Sequence, residues 1–321
     1  MGQSKPFVCV ALLIAVPLTV HAQAFPSKPV RLVVPFPAGG ALDTIARNLA
    51  PPLSRAFGHN VIVDNRPGGG TVIATEMVAR SPADGHTLLL MANSFTINPA
   101  VRSKLPYDAL KDFAGVSRLA TVPVIFSVHP SVPVKTFKEL IALARARPGE
   151  LTYATPGSGT NQHLIGEMLK SMARIDINHV PYQGGAPATM AVMGGHTSVL
   201  IINVTESGPH IQAGKLRALA VTSLERSADF KEVPTVAESG FPGFEAITWF
   251  GAVAPAATPR QAINRLNADI VRALQLPDVR NNLFKLGLSA AGTSAEEFDA
   301  FIRSELLRNE KVARASNLRI D

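Results

Sequence analysis

Two glycine loops carry residue types suited to holding an anion. The first, Phe36-Pro37-Ala38-Gly39-Gly40, follows the β-branched run 30–36 and precedes a helical pattern from Asp43 in which Ile45, Ala46 and Leu49 share a face. The second, Thr155-Pro156-Gly157-Ser158-Gly159-Thr160, lies between a strand pattern at 151–154 and a helix. In that helix Leu164, Ile165, Met168, Leu169 and Met172 recur at helical spacing and predict a buried stripe. Glycines let the loop backbone approach another body. The first turn of the following helix presents amides without intrahelical acceptors at the positive end of the helix dipole. Such a corner binds carboxylates and other anions, and Ser158 and Thr160 add hydroxyl donors. The plainer reading of the second loop is a tight turn capped by Thr160 or Asn161. Two such corners, far apart in the chain, predict a binding site if they face each other across a cleft.

Single residues around these loops each have two readings. Asp43 either caps its helix and pairs Arg47 at i, i+4, or accepts a hydrogen bond from a ligand or holds the loop's shape. His163 is either a structural histidine or a ligand contact one turn into the helix. Asn203 ends the apolar strand 199–202, and either pairs the strand end or faces a ligand. Ser94 lies beyond the strand 87–91, at the carboxyl edge where α/β sheets present ligand contacts.

The elements needed to position these groups alternate along the chain. Val61-Ile62-Val63 reads as a buried strand, and 71–80 as a helix burying Val72, Ile73, Met77 and Val78. The intervening loop, Asn65-Arg66-Pro67-Gly68-Gly69-Gly70, is neither a P-loop nor a dinucleotide fingerprint. It is read as mainly structural, letting the helix pack close. Pro51-Pro52 predicts a break or kink after Asn48 or Leu49. Strands follow at 122–128, 177–180, 199–202, 216–222 and 247–254, with helices at 136–146, 186–193, 259–275, 277–286 and 295–313. The alternation predicts two parallel-type α/β domains, with hinges near 118–128 and 243–253.

Composition narrows the class. The chain of 321 residues carries a formal net charge of +7 and one cysteine, Cys9. Residues 1–24 read as a secretory signal peptide: Lys5, an apolar run at 7–20, and Ala22-Gln23-Ala24 as the cleavage site. That predicts a mature chain from Phe25 with no cysteine, in the periplasm, without stable membrane insertion. Basic residues are scattered and aromatics make up 6%, which argues against nucleic acid. The histidines show no metal-ligand spacing. Gly157-Ser158-Gly159 is not a nucleophile elbow, and His163 has no third partner to complete a triad, which argues against a secreted hydrolase. Trp249 reads as packing.

Several ordered blocks resemble the solute-binding proteins of tripartite tricarboxylate transporters, the TctC or Bug type. They are PSKPVRLVVPFPAGGALDTIAR at 26–47, NRPGGG at 65–70, PADGHTLL at 82–89, YATPGSGTNQHLIGEMLK at 153–170, HVPYQGGAPA at 179–188, GKLRALAVTS at 214–223 and EVPTVAESGFPGFEAITWFG at 232–251. The resemblance implies a two-domain periplasmic binding fold, type II-like, with a ligand cleft between lobes. Lobe 1 would comprise 25–124 plus 248–321, and lobe 2 would comprise 125–247. It implies a monomer that binds a small organic acid, without catalysis, cofactor or metal, and delivers it to membrane permease subunits; a sensory receptor on the same fold is the alternative. The family's ligand loops fall on Phe36, Ala38, Gly39 and Gly40 with Asp43, and on Thr155, Gly157, Ser158, Gly159 and Thr160 with His163; Ser94 matches the sheet-edge position. One departure stands out. The family often has Asp-Asn where this chain has Ile202-Asn203, so a ligand group served by that aspartate would be missing here.

Overall fold

The computed structural model describes residue 2, residues 25–315 and residues 318–320. The signal segment expected over 1–24 therefore lies outside the described residues, residue 2 apart. No described helix is long and apolar enough to cross a membrane.

Among the described residues the sheet has ten strands. Strand β1 (Val30–Val34) pairs in parallel with β2 (Val61–Asn65) and β3 (Thr87–Ala92). Between them run helices α1 (Ala41–Phe57) and α2 (Val72–Ala79), and α3 (Ser94–Val101) leaves the end of β3. The long strand β4 (Phe113–Val128) comes next, followed by α4 (Phe137–Ala146). A second parallel group contains β5 (Thr152–Thr155), β6 (Asn178–Pro181) and β7 (Val199–Asn203). Its helices are α5 (Asn161–Ala173), α6 (Gly185–Met193) and α7 (Val204–Gln212). The chain then passes through β8 (Arg217–Val221) and returns along β9 (Ile247–Pro255). It ends with α8 (Arg260–Gln275), α9 (Pro277–Phe284), β10 (Ser289–Ala290) and α10 (Ala295–Ala315).

The main strand order is β2-β1-β3-β9-β4-β7-β5-β6, with β8 and β10 also pairing β4. The sheet is thus mixed: the two parallel-type groups that the alternation predicts, β2-β1-β3 and β7-β5-β6, are joined through antiparallel β9 and β4. An outgoing and a returning strand must run oppositely, and β9 is antiparallel to both β3 and β4. Up to Pro123, paired with Ile247, strand β4 lies on β9; from Val124 it lies on β7 and β8. Pro123, with no N–H to donate, stands where the partners change.

Most helices take their shape from the apolar periodicity. On α4, Phe137, Leu140, Ile141 and Ala144 are buried, and Thr136 caps the helix by accepting from the Glu139 amide. Four expectations are corrected. Helix α1 continues through Pro51 and Pro52. Two prolines there cost about 3 kcal/mol each, but Leu49, Leu53 and Phe57 are buried below them at about 1.5–3 kcal/mol apiece. Strand β2 is a half-exposed edge rather than a buried strand, with Ile62 51% exposed. Ile73 lies at the surface instead of in the stripe of α2, its side chain over the backbone of Gly68. Met172 is also exposed, and Ala173 takes the inner position on α5.

Candidate functional site

The first loop is shaped by Asp43. The Gly39 amide donates to its Oδ2 at 2.9 Å, Arg47 Nε donates to the same oxygen at 2.9 Å, and Gly39 adopts φ +88°. Burial would raise the Asp43 carboxyl, but hydrogen bonds from Arg47 and the Gly39 amide hold it below the ordinary carboxylate value. Asp43 therefore braces the loop from beneath, next to Arg47.

The second loop is braced from within. Thr160 Oγ donates to Gly157 O at 2.7 Å and accepts from the His163 amide, so its proton is already engaged and Thr160 is the cap of α5. Gly157 and Gly159 have φ of +147° and +78°. His163 Nδ1 accepts from the Gly159 amide at 3.3 Å, which assigns the ring proton to Nε2. Its ring stacks on His179 at 3.9 Å, and His179 stacks in turn on Tyr153 at 4.9 Å. Thr155 Oγ meets His179 Nε2 at 2.6 Å. Burial pushes His163 down to about 4 and His179 down to about 3, so both rings are neutral.

Each loop touches a glycine segment of the opposite half. A Cβ on Gly184 would stand 2.8 Å from Pro37 Cδ, and one on Gly70 would stand 2.5 Å from Ser158 O. Gly70, at φ +63°, therefore does more than seat α2: it lets the Ser158 backbone come close.

Between the loops lies a cavity. Phe36, Ala38, Gly40, Ser94, Thr160 and Asn203 line it. Gly39, Asp43, Thr155, Gly157, Ser158, Gly159 and His163 are not among its lining residues; they hold the loops in shape from behind or contact the opposite half. Sequence reasoning missed Asn161, Gln162, Thr248, Gly185, Ala186 and Glu206. Gln162 donates to Asn203 Oδ1 at 2.8 Å, and Asn161 donates to Thr248 Oγ at 3.2 Å, tying α5 to β7 and β9. Asn93 also lines the cavity, and it accepts from the Trp249 amide at 2.9 Å. Trp249 itself is buried, its indole donating to Glu305.

The lining has a common origin. Among the described residues, α1, α3, α5, α6 and α7 each contribute their N-cap or first turn to it. Four of these ends, at Gly40, Asn93, Gly184 and Asn203, have no side-chain cap. First-turn amides and the positive ends of helix dipoles are thus aimed at one space. No lysine, arginine or histidine is among its lining residues, and no cluster of three metal-ligand side chains occurs among the described residues. The site suits an anion held by main chain and neutral amides.

Glu206 is the exception. Its Oε1 accepts from the Ala41 amide at a long 3.4 Å, while Oε2 is buried without a partner. Burial pushes its carboxyl up to about 7, against the pull of the Ala41 amide and the Asn203 side chain. The signal for it was an acid in the first turn after a strand end. It was overlooked because 204–212 contains Gly208 and Pro209 and does not read as a helix.

A mixed α/β sheet with helix N-termini gathered on one cavity is the architecture of a solute-binding protein. The family model described as "Tripartite tricarboxylate transporter family receptor", TctC, matches residues 45–318, and the chain belongs to that family. Protein BugT of Bordetella pertussis (strain Tohama I) is 35% identical over 325 residues, covering 100% of each chain. The structure of Rpa4515 from R. palustris with adipate superposes with a TM-score of 0.89 at 36% identity, covering 92% of this chain and 99% of that one. MatC from Rhodopseudomonas palustris with bound malate gives 0.86 at 30% identity, covering 90% and 99%. The protein is a periplasmic solute-binding receptor of the TctC and Bug type.

Proposed function

We propose that the chain captures a small organic acid as a carboxylate between two lobes, 25–124 plus 248–321 and 125–247, and hands it to a tripartite tricarboxylate-type permease. The convergence of five helix N-termini on a cavity lined by no cationic side chain carries this reading. Adipate and malate in the structures of two relatives support it. In this reading residues 1–24 are cleaved after Ala24, the mature protein works as a monomer in the periplasm, and the site performs no chemistry. The contacts Pro37–Gly184 and Gly70–Ser158 belong to the closed form, and the ligand shifts the population toward it. Closure then bends the chain near 118–128 and 243–253, where β4 and β9 cross.

The test is a thermal-shift and calorimetric screen of mono-, di- and tricarboxylates against the mature chain. A ligand at 100 times its dissociation constant stabilises by about 2.7 kcal/mol. If no organic acid stabilises the protein, the carboxylate reading fails.

A further inference from the structure

The first anion corner of this cavity is already occupied by the protein. The Glu206 carboxyl rests on the Ala41 amide at the N-terminus of α1. It also lies against the start of α6, where a Cβ on Gly185 would stand 2.7 Å from its Oε1 and 3.1 Å from Ile202 Cδ1. A ligand carboxylate directed at the same amides would meet a like charge. The α5 corner, at Thr160, Asn161 and Gln162, has no such occupant.

We propose that Glu206 sets the ligand class: a monocarboxylate bearing a protonated amine, with its carboxylate at the α5 corner and its ammonium on Glu206 Oε2. This rests on the carboxylate reading above and departs from the dicarboxylates held by the two relatives. Three observations carry it. Glu206 lines the cavity, its Oε2 is buried without a partner, and a buried carboxylate requires a cation or a donor. The groups facing it from α1, α6 and β7, namely Gly40, Ala41, Gly185, Ile202 and Asn203, are all uncharged. The nearest charged side chains on α1, Asp43 and Arg47, pair with each other. No protein cation therefore neutralises Glu206, and an ammonium on the ligand does so.

Calorimetry on the wild type and on Glu206→Gln tests this with matched compounds: alanine against lactate, 4-aminobutanoate against glutarate, and 5-aminopentanoate against adipate. The expected result is at least one amino acid binding about tenfold or more tighter than its partner, with the preference lost in Glu206→Gln. Circular dichroism checks that the variant is folded. Dicarboxylates or hydroxy acids binding as well as the amino acids, or an amino-acid preference that survives Glu206→Gln, overturns the proposal while leaving the carboxylate receptor intact. Dicarboxylate binding that tightens from about pH 8 to about pH 6 with proton uptake also overturns it, because Glu206 would then be acting as a protonated donor. Absence of binding by every acid overturns the receptor reading itself.

Discussion

Glu206 should destabilise the empty protein, and the effect has a defined pH window. Its carboxyl is raised from 4.5 to about 7, chiefly by burial. Between these values the folded state binds more protons than the unfolded state, so stability falls as pH rises. The penalty is absent well below 4.5 and complete above about 7. At 1.36 kcal/mol per pKa unit it is on the order of 3 kcal/mol. Glu206→Gln keeps the shape and removes the charge. The ligand-free variant should therefore be more stable than the wild type at about pH 8, and the gap should narrow as pH falls to about 5. One kcal/mol moves the midpoint by about 2–4 °C in a domain of 150–250 residues, so melts followed by circular dichroism at the two pH values resolve a shift of several degrees. Taking the difference between variant and wild type at each pH cancels the opposing histidine contribution. If the two proteins melt alike at both pH values, Glu206 is solvated or paired, and the reasoning about its burial is wrong.

Other consequences are open to measurement. Gly70→Ala places a methyl against Ser158 O at φ +63°; it should weaken ligand binding about tenfold or more by hindering the close approach, read by calorimetry with scattering as a check on compaction. Thr160→Ala removes the cap of α5, and should cost about 0.5–2 kcal/mol of stability in denaturant melts. His163 and His179 have values pushed below 6.5 by burial, so stability should fall as pH drops from 6.5 through about 4 and about 3. Changing His163 to asparagine keeps an acceptor for the Gly159 amide, and should flatten the upper part of that fall in a pH series of thermal melts.

How much of this was legible in the sequence depended on whether the cause was local. Helix α4 was, because its cap at Thr136 and its stripe at Phe137, Leu140, Ile141 and Ala144 lie within one element. The first half of β4 was not: Gly115, Ser117 and Arg118 interrupt its pattern, and it is a strand because β9 returns beside it. The same holds within the site. Loop chemistry points to Gly40 and Thr160, and the strand end to Asn203, and all three line the cavity. Asp43 and His163 have equally suggestive chemistry, but Asp43 Oδ2 is directed at Gly39 and Arg47, and His163 Nδ1 at Gly159. Only tertiary packing distinguishes a group that faces the ligand from one that faces the loop. Glu206 needed both the start of α7 and the approach of α1 and α6, which no window of sequence contains.

The attractive pole of the pocket is made of main chain, and point mutation does not delete a peptide N–H unless it introduces proline. Side chains such as Leu42, Glu206 and Ala186 are therefore free to vary while the capacity to hold a carboxylate persists. Lineages built on this plan can exchange one nutrient for another by altering a few wall residues, without rebuilding the feature that attracts the cargo.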